Sequence, residues 1–145
     1  MKAIPNLPKK EFDRILKMAP HVVVEVLVKD KNGVLLAKRN IQPFKGKWHF
    51  TGGLLAYNEK IKQAVKRIAK REIGVRVKIV KFLGFYEYIN NDPRGHLVAL
   101  AFIVKRIGGK IKKNRENSDF KYFKKIPKDM IYYQKKILRD ALNER

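Results

Sequence analysis

The stretch FTGGLLAYNEKIKQAVKRIAKREIGVRV, residues 50–77, decides how the rest of the chain is read. Ile61, Ala64, Val65 and Ile68 recur at i, i+3, i+4 and i+7, which predicts an amphipathic helix with one buried stripe. Lys62, Lys66 and Lys70 fall on its wet side. One further step of i+4 from Ile68 lands on Glu72, so the helix turns a carboxylate toward the protein body where its own period asks for an apolar residue. A partly buried anion needs a cation or strong donors. The candidates are Arg67 or Arg71, or a hard metal ion, which takes oxygen ligands and keeps several waters.

Working outward, residues 8–18, PKKEFDRILKM, carry Phe12, Ile15 and Leu16 at helical spacing, with Pro8 at a favourable first position, and predict a short helix ended by Pro20. HVVVEVLVKDKNGVLLAKR (21–39) reads as two strands around a Lys-Asn-Gly turn. NIQPFKGK (40–47) is a loop, and WHF (48–50) a short strand before Gly52-Gly53. After the central helix, VRVKIVKFLGFYEYI (75–89) and HLVALAFIVKRI (96–107) predict a long hairpin through the turn formers of NNDPRG (90–95). Gly108-Gly109 opens a polar loop with one β-like piece, FKYF (120–123). Met130, Tyr133, Ile137, Leu138 and Ala141 then space out a closing helix. The order fits one α+β domain over residues 1–145, a layered α/β/α sandwich around a mixed sheet.

With 145 residues the chain is the size of one domain with a real core. Cysteine is absent, which removes disulfides, thiolate metal sites and Cys nucleophiles, so any metal sits on oxygen or imidazole. No run has the length of a membrane span or the form of a signal peptide, and a cytoplasmic protein is expected. The 35 Lys and Arg against 13 Asp and Glu give a formal charge of +22, a bias toward anionic partners. Because the bases are spread along the whole chain and no aromatic-interleaved basic motif stands out, a solvated basic surface is the favoured reading over a nucleic-acid face.

Gly53, five residues, Glu59, seven residues, Arg67, then Glu72 and Gly74 resembles the box of the Nudix hydrolases. Two positions depart from it: Ile68 follows Arg67 and Arg71 precedes Glu72, where that family usually carries carboxylates. GDP-mannose mannosyl hydrolases have a similarly reduced box, and the likeness to them extends to MAPHVVVEVLV (18–28), GVLLAKRNIQPFKGKWHFTGGLL (33–55) and RIAKREIGV (67–75). The resemblance implies one divalent metal, Mg²⁺ or alternatively Mn²⁺, held by Glu72, the Gly52 carbonyl and Glu116 of the late ENSDF segment (116–120). It implies that Arg39 on the second strand stabilises the nucleoside diphosphate, its planar fork suiting phosphate, with Lys38 beside it as a second substrate contact because alternation alone does not say which points at the site. Glu25 interrupts an apolar strand, an expensive place for a charge, and is given a catalytic role on that ground and by the same likeness. Glu59, Arg67, Gly53 and Gly74 are read as structural, Arg67 pairing with Glu59.

Where sugar-releasing relatives place a histidine base this chain has Asn117, and its histidines, His21, His49 and His96, lie elsewhere in the sequence, so Glu116 is also a candidate base. Three functions follow: hydrolysis of a nucleoside diphosphate sugar of the GDP-mannose kind, pyrophosphohydrolysis at phosphorus, or a non-catalytic nucleotide- or RNA-binding module. The expected partner is a small nucleotide, with Trp48, Phe44, Tyr57 and Tyr86 as candidates to stack on a base, and a homodimer is the expected assembly.

Overall fold

A computed structural model describes residues 7–93 and 95–144. Arg94, inside the NNDPRG turn, and the ends of the 1–145 span lie outside the described residues. Helix α1 (Lys9–Met18) leads into β1 (His21–Asp30), β2 (Gly33–Arg39), β3 (Trp48–His49) and β4 (Thr51–Leu54). Helix α2 (Ile61–Ile68) continues into a π-helical turn, Ala69–Ile73. β5 (Val75–Tyr88), β6 (Leu97–Gly109), β7 (Asn117–Phe123), a 3₁₀ turn (Tyr132–Gln134) and α3 (Lys135–Asn143) complete the described chain.

The sheet is mixed. Its main path runs β3-β2-β1-β6-β5, with β1 and β6 parallel from His21↔Leu97 to Val28↔Val104. β1 is the shared strand: on the edge opposite β6 it pairs with β4 over Val23–Val26 and with β2 only at Lys29 and Asp30. The sheet therefore splits there, one wing formed by β4 with β1, β6 and β5, the other by β2 with β3 and β7. The chain crosses from one wing to the other at Phe50, between β3 and β4.

Alternation along β1 builds the two cores. Val23 and Leu27 pack with Phe12, Leu16, Ile137 and Leu138 under α1 and α3. Val24, Val26 and Val28 pack with Val65, Ile68 and Ile73 under α2. This is the expected α+β sandwich.

Several local expectations change. Ile61 and Ile15 are exposed; as the first residue of α2, Ile61 leans back past the sheet rather than onto it. Gly52-Gly53 does not follow a strand but lies in one, because Phe50 divides the WHF run and Thr51–Leu54 starts a new ladder on β1. Gly108-Gly109 is the end of β6, paired to Arg76 and Val75, since β5 begins directly after Gly74 and offers partners there. The late strand starts at Asn117 rather than Phe120, held from Arg39 onward along β2. Met130 and Tyr133 precede the last helix: Met130 bridges to Trp48, and Tyr133 belongs to the 3₁₀ turn.

Candidate active site

The loop before α2 is fastened by one ion pair. Arg67 Nε donates to Glu59 Oε2 at 2.7 Å and Nη2 to Glu59 Oε1 at 2.9 Å, a bidentate fork. Arg67 Nη2 also donates to the Leu54 carbonyl at 2.9 Å, and the Ala56 N–H to Glu59 Oε1 at 3.1 Å. The hydrogen bond from Arg67 holds the Glu59 carboxyl below the usual range against the opposing effect of burial, and Glu59 raises Arg67 in return. A Cβ on Gly53 would stand 3.3 Å from Ile68 Cγ1, so β4 and α2 touch closely here.

The π turn sets the acid. Gly74 N–H reaches back to Ala69 O at 3.0 Å and Lys70 O at 3.1 Å, with Gly74 in the left-handed region at φ 91°. Such widened turns accommodate an extra residue, often at functional sites. Within this one Lys70 and Arg71 stay exposed while Glu72 is only 8% exposed. Glu72 acts electrostatically on Arg67, but the Arg67 fork is occupied by Glu59 and Leu54.

The opposite wall is the other wing of the sheet. Leu35 packs on the α2 side, so alternation along β2 sends Ala37 and Arg39 there too. Arg39 is buried and donates from Nε to the Pro43 carbonyl at 2.6 Å. Lys38 takes the other face, its ammonium 5.8 Å from the Trp48 ring centroid. The period of two therefore puts Lys38 and Arg39 on opposite faces of β2.

His49 pairs with Ala37, and Asn117 with Arg39, so both share the Arg39 side. They are bonded to each other, His49 Nε2 to Asn117 Oδ1 at 2.9 Å. The imidazole absent from position 117 in the sequence thus reaches that place from β3. His21 bonds the Ile15 carbonyl at 2.9 Å, and its backbone N–H donates to the His96 carbonyl at 3.0 Å, at the other end of β1.

Asn114, which no motif in the sequence singles out, ties the walls together. Its Nδ2 donates to the Glu72 carbonyl at 2.8 Å, and its Oδ1 accepts from Glu116 N and Asn117 N at 3.0 Å each. Lys112 N adds a bond to Ile73 O at 2.9 Å, and Asn40 N one to Glu116 O at 2.8 Å. The signal was present in NREN (114–117): an Asn side chain bonds the backbone two and three residues on.

Glu25 is not brought to Glu72. It alternates with Val23 and Leu27 and so faces α3, 4% exposed. There its charge joins burial in raising the Tyr88 hydroxyl, burial being the larger cause. Its carboxylate Oε1 lies 2.7 Å from where a Gly52 Cβ would be, so any side chain at 52 would collide with it.

The Leu55 N–H bonds Val22 O at 3.0 Å. Antiparallel pairs alternate, so Val24↔Gly53 is the next hydrogen-bonded pair and Glu25↔Gly52 is not. The Gly52 carbonyl consequently points away from β1, off the outer edge of β4. Among the described residues no three His, Asp or Glu side chains gather closely enough to hold a metal. A buried carboxylate with an outward carbonyl nonetheless suits Mg²⁺, which binds through one or two carboxylates, substrate phosphates and water.

Of the aromatic candidates, Trp48 packs on Phe123, Phe44 on Tyr133, and Tyr86 donates to Asp140 at 2.7 Å. Tyr57 is 86% exposed.

A family model for the NUDIX domain matches residues 19–139. The chain belongs to the Nudix family. Among curated relatives, this Nudix domain is 34% identical over 129 residues to an ADP-ribose pyrophosphatase of Methanocaldococcus jannaschii, covering 88% of this chain and 76% of that one. It is 31% identical over 148 residues to the low-salt glycan biosynthesis protein Agl8 of Haloferax volcanii, covering 98% and 94%. Among solved structures, one described as a possible asymmetric diadenosine tetraphosphate hydrolase from Jonesia denitrificans superposes with TM-score 0.75 at 22% identity, over 87% of this chain and 94% of that one. Such a structural likeness shows the shared fold. Family membership makes the chain a Nudix hydrolase.

Proposed function

We propose that this Nudix hydrolase cleaves the pyrophosphate of a nucleoside diphosphate derivative, with attack at phosphorus and help from a divalent cation, Mg²⁺ or Mn²⁺. The observation that supports the reading is the Asn114 bridge, which fastens the Glu72 turn to the segment bearing Glu116 and Asn117, the latter paired with Arg39. Glu72, the outward Gly52 carbonyl and Glu116 would hold the cation. When bound, it neutralises phosphate charge and lowers the pKa of water. A water oxygen would bond to phosphorus as the bridging P–O bond breaks, its proton passing to the departing phosphate, whose charge the guanidinium of Arg39 balances. Glu59, Arg67, Gly53 and Gly74 keep the turn in shape. The M. jannaschii relative, described as an ADP-ribose pyrophosphatase, supports the bond choice.

A second reading, release of the sugar from a GDP-mannose-like substrate, is favoured by one observation: the His49 ring against Asn117 supplies an imidazole where that chemistry wants one. Incubation with ADP-ribose and GDP-mannose in ¹⁸O-water, with Mg²⁺ or Mn²⁺, separates the two by phosphorus NMR. Cleavage at phosphorus leaves the label on a monophosphate, whereas cleavage at carbon leaves it on the sugar. Absence of turnover with either cation across a nucleotide-sugar panel would sink both. A homodimer belongs to the same reading, and light scattering measures it.

A further inference from the structure

The bases are spread along the sequence, but the acids that balance them are not. Between Glu59 and Glu87 the only carboxylate is the buried Glu72, and between Asp92 and Glu116 there is none. The fold brings these two acid-free stretches together. Along α2 and the π turn, Lys62, Lys66 and Lys70 form one exposed row at i, i+4 spacing, roughly 6 Å apart. A Cβ on Gly74, at the end of that row, would stand 2.9 Å from the Lys110 carbonyl and 3.5 Å from Lys112 Cβ, and the Lys112 N–H bonds Ile73 O at 2.9 Å. The segment carrying the exposed Lys110, Lys112 and Lys113 thus lies beside the end of the helix row. Arg76 and Lys78 alternate with Val75 and Val77 of the α2-side core, so they face the other side of the sheet and stand outside this row.

None of the ion pairs among the described residues neutralises this row: they join Lys9 to Asp13, Arg67 to Glu59 and Lys81 to Glu144. Elsewhere the surface is mixed. Helix α1 carries Glu11 and Asp13 among its bases, and α3 carries Asp140. At the start of the row, in the turn before α2, Tyr57 offers an exposed ring on which a base can stack.

We infer that the face made by α2, the π turn and the loop 110–115 binds the phosphate backbone of single-stranded nucleic acid. A row of solvated lysines reads charge rather than sequence, and each phosphate it neutralises adds to a steep salt dependence. The exposed aromatic selects an unpaired strand over a duplex. The lysine side chains of this surface are not among the hydrolytic residues, although the π turn and the loop that carry them also hold Glu72 and Asn114, and their binding stands or falls independently of the hydrolase reading.

The test is fluorescence anisotropy of a labelled 20-nucleotide mixed-sequence RNA, without divalent cation, across a salt series. The triple variant Lys62→Gln, Lys66→Gln, Lys70→Gln is compared with a control of equal charge on α1, Lys9→Gln, Lys10→Gln, Lys17→Gln. On this inference the first variant loses at least tenfold in affinity and the salt slope falls by about 2, at roughly 0.7 for each phosphate that the variant leaves unneutralised. The control stays within about twofold, and Tyr57→Ala weakens the single strand but not a duplex of the same length. Equal losses from the two triple variants would show only the diffuse attraction of a +22 protein and overturn the inference. Tighter binding to duplex, or to vesicles of anionic lipid, would overturn it as well. An unchanged thermal midpoint and circular dichroism spectrum of the first variant are the internal control for folding.

Discussion

Glu72 continues an apolar stripe with a carboxylate, and its inward turn could be read from spacing alone because i+4 from Ile68 survives the widened turn. Glu72→Gln keeps size and removes charge. Changes around metal ligands already cost roughly 10- to 100-fold, so turnover should fall by more than about 100-fold while the thermal midpoint stays put; steady-state kinetics and calorimetry check this. The pairing of His49 with Asn117 was not legible in the sequence, since the two are far apart along the chain. His49→Gln discriminates between the bonds. A lost base would cost about 10²- to 10⁴-fold in sugar release and flatten the neutral pH profile, whereas cleavage at phosphorus should persist with its product pattern unchanged. The choice between Lys38 and Arg39 was open in the sequence for a similar reason: period two says they part, but only the packing of Leu35 says which way each goes.

At the scale of elements, the strands and helices were visible wherever burial alternates, and blurred where the chain changes partners. Phe50 ends one ladder and begins another within a single apolar run, which no local pattern marks. The final helix looks longer in the sequence than it is because Met130 and Tyr133 are apolar for packing against Trp48 and Phe44, not for helical reasons. Gly74→Ala forces a side chain into a left-handed backbone and toward the Lys110 carbonyl, so it should destabilise by roughly 1–2 kcal/mol, read as a lowered thermal midpoint. The Glu59–Arg67 clamp has a pH signature. Because the folded pKa of Glu59 lies below its ordinary value of 4.5, its stabilisation is complete above that value and is lost as pH falls through the depressed one. The midpoint difference between the native chain and Glu59→Gln should therefore be present at pH 7 and shrink by pH 3. A difference that persisted into acid would assign the effect to packing rather than charge.

For the molecule as a whole, a charge of +22 on 145 residues means self-repulsion in the native state. Raising salt from 20 to 500 mM should raise the thermal midpoint, as the Debye length shrinks from about 20 Å to about 4 Å; a flat response in calorimetry would count against it. Composition gave that much, but not the distribution, because adjacency through Gly74 is a property of the fold. The split of the sheet at β1 has a consequence of another kind. Arg39 and His49 ride on one wing and Gly52 on the other, joined through Phe50, whose N–H is held by the Gln134 side chain at 3.0 Å. Helix α3 touches both β2 and β5 and buries its own Ile137 and Leu138 fully against them. The molecule is built like a calliper with its adjusting screw on the back. A population selected for longer or shorter substrates should collect its substitutions at Phe50, Gln134, Ile137 and Leu138, which reset the gap between the jaws without meeting anything held in them.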